Sequence, residues 1–176
     1  VFKRIKPEQN SRNENKAIIA ASMSVRTTNK IIAIGASTGG TEALKEVITK
    51  FPANCPPIVI VQHMPANFTK AFAERLNQIS DIEVKEAVDG EYLSIGKALI
   101  APGNKHMEIR RSGINYYVTL FDGPMMFHQR PAVEILFNSV AKYAGKNAVG
   151  ALLTGMGKDG AQGLLNMKNA GANTIA

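Results

Sequence analysis

Three short apolar runs, Ile31–Ile34, Ile58–Val61 and Ala148–Leu153, constrain the fold of this chain more than any other feature. Each is too short for a buried helix and lacks polar alternation, the pattern of a strand covered on both faces. Amphipathic stretches lie between them. Thr41–Phe51 puts Ala43, Leu44, Val47, Ile48 and Phe51 on one helical face, and Pro52 ends it. Asn67 or Thr69 is placed to cap a second helix, with Phe68, Ala71, Phe72, Leu76 and Ile79 as its apolar face. Pro131 opens a third helix carrying Val133, Leu136, Phe137, Val140 and Ala144, closed by Gly145. Ala161–Ala170 is a fourth, closed by Gly171. Strands buried on both faces and joined by crossover helices must pair in parallel. The expected architecture is therefore α/β: a doubly wound, mostly parallel sheet with flanking helices.

The middle of the chain is more β-like. Ile82–Ala87 alternates weakly and Ala98–Ala101 is a short apolar run. Met107–Arg111 and Asn115–Leu120 read as a β-hairpin insertion around Ser112-Gly113. Residues 1–29 are polar apart from Ala17–Ala21 and read as a linker-like tail. Residues 30–176 form the folded domain. Asn173–Ala176 resembles the start of one more strand, so the domain reads as incomplete at its C-terminal end.

Composition excludes some classes of function. The net charge of +7 raises the question of nucleic acid. Residues 1–30 hold seven Lys/Arg against two Glu, a net of +5, and residues 31–176 hold fourteen against twelve, a net of +2. The folded part is nearly balanced, so no nucleic-acid partner is expected. No apolar run reaches the ~20 residues that span a bilayer, so no membrane insertion is expected. Cys55 is the single cysteine, which permits no internal disulfide and suits a reducing, cytoplasmic setting. Three scattered histidines without an H-x-x-x-H pattern predict no metal site, and no cofactor is expected.

In parallel sheets ligands bind beyond the carboxyl ends of the strands. That rule selects Ser37 after the first run, His63 after the second and Thr154–Gly160 after the third. Gly35-Ala36-Ser37-Thr38-Gly39 fits the G-x-S-x-G turn that exposes a serine between a strand and a helix. Such a turn is also suited to holding an anion at a helix N-terminus, although it lacks G-x-G-x-x-G and a P-loop lysine. A serine nucleophile needs a base, and the base needs a carboxylate. His63 is the candidate base by position, with His106 next and His128 ahead of a helix. Asp159 is the candidate acid, and a cap for the helix starting near Ala161 is its simpler reading. Asp122 reads as a turn residue. Backbone N–H groups around Gly155-Met156-Gly157 are candidate oxyanion donors. Met125, Met126 and Phe127 line a cleft or pack in the core or a loop.

Ile34-Gly35-Ala36-Ser37-Thr38-Gly39-Gly40-Thr41, Gln62-His63-Met64-Pro65 and Leu153-Thr154-Gly155-Met156-Gly157-Lys158-Asp159-Gly160-Ala161 closely resemble the catalytic domain of the bacterial chemotaxis-receptor methylesterases, the CheB family. Supporting stretches run from Ala101-Pro102-Gly103 to His106, from Arg130-Pro131 to Phe137, and from Gly163 to Ala172, so the resemblance covers about residues 30–176. It implies a Ser37–His63–Asp159 triad, with the Met156 N–H as oxyanion donor and Thr38 beside the nucleophile. The implied activity is hydrolysis of glutamate γ-methyl esters, and deamidation of glutamines, on the cytoplasmic helices of methyl-accepting chemotaxis receptors. The implied regulators are a receiver domain, to which residues 1–29 would lead, and a histidine kinase. The order Ser…His…Asp differs from the Ser…Asp…His of α/β-hydrolases. The alternatives are a generic small-ester serine hydrolase and a non-catalytic anion-binding module.

Overall fold

β1 (Ile31–Ala36) lies at the centre of a six-stranded sheet in a computed structural model whose described residues are 30–176. The other sheet strands are β2 (Ile58–Gln62), β3 (Glu83–Glu86), β4 (Lys97–Ile100), β7 (Ala148–Leu152) and β8 (Asn173–Ile175). Their order is β3-β4-β2-β1-β7-β8, and every pairing is parallel. Four α-helices lie among the described residues: α1 (Gly40–Ile48), α2 (Ala66–Gln78), α3 (Val133–Tyr143) and α4 (Ala161–Asn169). β5 (His106–Ser112) and β6 (Asn115–Phe121) form a separate antiparallel hairpin. The linker-like reading of residues 1–29 falls outside the described residues.

The apolar runs dictate this arrangement because alternate residues enter opposite cores. Ile31, Ala33, Val59 and Val61 pack with Val133, Leu136, Phe137 and Val140 of α3, Met167 of α4, and the hairpin. Ile34, Ala36, Ile58 and Ile60 pack with Leu44 and Ile48 of α1 and Ala73 and Leu76 of α2. Two helices therefore cover each face, and the sheet is doubly wound. Each fully buried aliphatic side chain contributes roughly 1.5–3 kcal/mol. That exceeds the ~1 kcal/mol of a helix cap, and no helix among the described residues is capped by its own N-cap side chain. Cys55 belongs to the α1–α2 core, and burial pushes its thiol up, so it is a packing residue.

Several local expectations are corrected. α2 starts after Pro65 and is capped by neither Asn67 nor Thr69. Its buried residues are Thr69, Ala73 and Leu76, while Phe68 and Ile79 are exposed. Thr69 replaces them inside because its hydroxyl bonds to Ala66 O, Glu86 and the Gly103 N–H. α1 ends at Ile48, before Phe51. The hairpin turns on Gly113 and Ile114 between the paired Ser112 and Asn115. α3 begins at Val133, two residues beyond Pro131, because its first N–H groups find their acceptor in another part of the chain.

Candidate active site

The sheet brings the ends of β2, β1 and β7 side by side. The backbone ladder runs on past each strand. Leu153 N–H donates to Gly35 O (2.9 Å), Ser37 N–H to Thr154 O (2.9 Å) and His63 N–H to Ala36 O (3.1 Å). The turn after β1 closes when Gly40 N–H donates to Ser37 O at 2.8 Å. Gly39 takes φ +75° there, a conformation that a side chain would strain. Gly35 admits the start of α3, since a β-carbon at that position would collide with Val133 Cγ1.

Ser37, His63 and Asp159 form one hydrogen-bonded line. His63 Nδ1 lies 2.9 Å from Ser37 Oγ, and His63 Nε2 lies 2.7 Å from Asp159 Oδ2. The side chains of His63 and Asp159 are only 11% and 5% exposed, so water competes weakly for these bonds. Asp159 Oδ2 also accepts the Val133 N–H and Oδ1 the Glu134 N–H, both at 2.8 Å. A carboxylate that takes two backbone N–H groups has only lone pairs to offer a third partner. The Nε2 proton therefore points at Asp159, and the Nδ1 lone pair is left for the Ser37 hydroxyl. The ring is turned the opposite way from the trypsin-type triad, where Nε2 faces the serine.

Asp159 is thus a helix cap, but not of its own helix. Gly160 occupies the N-cap of α4 without a side-chain bond, and the Asp159 carboxylate caps α3 instead. His106 is not at the site. It is fully buried at the start of β5, with its ring nitrogens engaged by Pro124 O and the Ala132 N–H. His128 lies in the exposed 123–130 loop at φ +62°. Met125, Met126 and Phe127 in that loop are exposed and are neither core nor part of the cleft wall. Asp122 is exposed and pairs with Lys105 at 3.5 Å. Thr38 follows the serine on the surface, and its carbonyl accepts the Thr154 hydroxyl at 3.1 Å. Gly155, Met156 and Gly157 line a cleft of about 70 Å³ together with Ser37, His63 and Asp159, and Met156 is 88% exposed.

Two further contributors hold the site together and have no role in the sequence motifs. Gln62, 3% exposed, donates its side-chain N–H groups to Ser37 O (3.0 Å) and His63 O (3.1 Å), tying the two turns together. A polar residue ending an otherwise apolar strand was the available signal. The other contributor is the N-terminus of α3, whose amides lie far from Asp159 in sequence and leave no local pattern.

A parallel α/β sheet with a Ser–His–Asp line across the carboxyl ends of three adjacent strands has the arrangement that serine hydrolases use. Comparison with known proteins narrows the class. A family model described as CheB methylesterase matches residues 32–176, and the chain belongs to that family. A Syntrophus aciditrophicus protein, named protein-glutamate methylesterase/protein-glutamine glutaminase 2, is 65% identical over 150 residues, which is 85% of this chain and 44% of that protein. A protein-glutamate methylesterase/protein-glutamine glutaminase of Yersinia pestis is 55% identical over 163 residues, covering 93% of this chain and 47% of that one. The crystal structure of the Thermotoga maritima CheB methylesterase catalytic domain superposes with a TM-score of 0.81 at 40% identity, covering 84% of this chain and 78% of that one. The chain spans less than half the length of these two curated relatives. No helix among the described residues is long and apolar enough to cross a membrane.

Proposed function

We propose that this chain is a serine hydrolase that removes methyl groups from glutamate γ-methyl esters of chemoreceptors and deamidates receptor glutamines. The observation that carries the reading is the 2.9 Å contact between Ser37 Oγ and a His63 nitrogen whose partner nitrogen is bound to a buried carboxylate. Ser37 Oγ attacks the ester carbonyl carbon and its proton passes to His63 Nδ1. The tetrahedral oxyanion collapses, and the leaving methoxide takes that proton and departs as methanol. Water then gives a proton to His63 and attacks the glutamyl ester, and collapse returns that proton to Ser37 Oγ and releases the carboxylate. A primary amide follows the same course with ammonia as leaving group.

The Ser37 N–H already donates to Thr154 O, so the oxyanion needs other donors. We assign that role to the N–H groups of Thr38 and Met156, on the two turns that flank the serine. The cleft suits a small reacting group on a flexible arm. About 70 Å³ has room for an ester or carboxamide head, and a glutamyl side chain delivers one while the helix that bears it stays outside. The anion-cradle alternative is disfavoured because the serine hydroxyl is directed at an imidazole. The reading places the protein in the cytoplasm, with the cytoplasmic helices of methyl-accepting receptors as substrate and a phosphorylated receiver domain and its histidine kinase as regulators.

Methanol release from methylated receptor membranes is the test, run beside a free small ester. Release from receptor is expected for the chain and not for Ser37→Ala. Much faster turnover of the free ester would favour a generic esterase. Phosphate binding that persists in Ser37→Ala without any hydrolysis would favour the cradle.

A further inference from the structure

The starts of α3 and α4 exchange carboxylates. Asp159, immediately before the Gly160 N-cap of α4, takes the Val133 and Glu134 N–H groups of α3. Glu134, in the first turn of α3, reciprocates: its Oε2 accepts the Gly163 N–H of α4 at 2.9 Å. Each helix thereby satisfies donors that the other leaves free. Glu134 is only 6% exposed, and a carboxylate so buried persists only where donors meet it. Its second oxygen accepts Asn138 Nδ2 at 3.1 Å, Asn166 Nδ2 of α4 donates to Asn138 Oδ1 at 2.8 Å, and Gln162 donates to Asn166 at 3.0 Å. Gly163 leaves room for the approach. A β-carbon there would lie 2.7 Å from Phe137 Cβ and 3.4 Å from Glu134 Cδ.

We propose that Glu134 is a positioning residue for the reaction: by holding the first turn of α4 against α3, it fixes the point in the chain from which Asp159 reaches His63. Glu134 touches none of the reacting atoms. Its effect passes through Gly163 to Gly160 and Asp159, and so to the direction of the His63 Nε2–H bond. The proposal rests on the Ser37–His63–Asp159 reading above. A displacement of an ångström or less at the acid rotates the imidazole away from Ser37, and misplacements of that size are costly to rate.

Two substitutions separate reach from charge. Glu134→Asp keeps the charge and shortens the arm, withdrawing the carboxylate from Gly163. Glu134→Gln keeps the arm and an acceptor oxygen but loses the charge. For E134D we expect kcat for methanol release to fall between about tenfold and about a hundredfold, with KM changed less than about twofold. The conservative E134Q should rescue it to within about threefold of the parent chain. Nitrogen-15 NMR of the His63 imidazole, without substrate, should show the Nε2–H signal displaced or broadened in E134D and kept in E134Q. If E134D lowers Tm but leaves both kcat and the imidazole signal unchanged, Glu134 is structural only and the proposal is overturned. If E134D does not fold, Asn138→Ala, which strips the other partner from Glu134, must still shift the imidazole signal, and an unmoved signal overturns the proposal. If the parent chain releases no methanol, the hydrolase reading fails on its own, while the imidazole signal still decides the positioning claim.

Discussion

Asp159 and Val133 are joined across the fold: the Oδ2 atom that meets His63 at 2.7 Å also accepts the Val133 N–H at 2.8 Å. One oxygen therefore serves the imidazole and a helix end together. The carboxylate lies at the positive end of the α3 dipole, where a negative charge is favoured, and it cannot swing without uncapping the helix.

That bond alters what Asp159→Asn should do. In the trypsin-type triad the equivalent change costs about 10⁴ in kcat because the imidazole adopts the wrong tautomer. Here the asparagine has one oxygen to place. At the Oδ2 position it satisfies Val133 and His63 and leaves only the Glu134 N–H opposed. The working tautomer survives, and what is lost is the charge and the Glu134 hydrogen bond. We expect kcat to fall by about 10²–10³, less than the protease value, and stability to fall by about 1 kcal/mol from the weakened cap. Steady-state methanol release and thermal unfolding of D159N check both numbers.

Gln62 offers a second test. Its orientation is decided by chemistry: Ser37 O and His63 O both accept, so only the amide nitrogen can face them. Its Oε1 has no partner among the described residues and lies against Gly40 at the start of α1, where any side chain would collide with it. Gln62→Glu replaces the bridging nitrogen by an acceptor facing two carbonyls. We expect kcat to drop by about ten- to a hundredfold and stability by about 1–3 kcal/mol. Unchanged kcat in Gln62→Glu would show that the bridge does not align Ser37 with His63.

Gly35 gives a third, through packing. A β-carbon there has no room against Val133 Cγ1, and Leu152 Cδ1 lies 3.1 Å away. Gly35→Ala should push the start of α3 outward and draw its two amides from Asp159. Overpacking of this kind costs about 1–3 kcal/mol. We expect a lower Tm together with a reduced kcat, and an active G35A of parent stability would contradict the account.

What the sequence reveals of this fold depends on how local each cause is. β1, β2 and β7 are readable because burial on both faces leaves no polar residue inside the runs. α2 misleads because Thr69 is buried through bonds to distant groups, while Phe68 lies exposed. Asp159 has the look of a cap, and it is one, but its helix begins at Val133, 26 residues earlier. Ser37, His63 and Asp159, which share one hydrogen-bonded line, all follow strand ends, where the sequence rule looks. The ring orientation of His63, the Gln62 bridge and the Glu134–Gly163 bond depend on segments that meet only in the folded chain.

The central claim is that Ser37 carries the glutamyl group between two half-reactions. The direct measurement is to mix the chain with a glutamate γ-methyl ester peptide, quench in acid within one turnover, digest, and weigh the peptides by mass spectrometry. The account expects the substrate acyl group on the peptide containing Ser37, its absence in Ser37→Ala, and methanol formed in equal amount. Methanol release by Ser37→Ala at the parent rate, or an acyl group carried by a different residue, would contradict it.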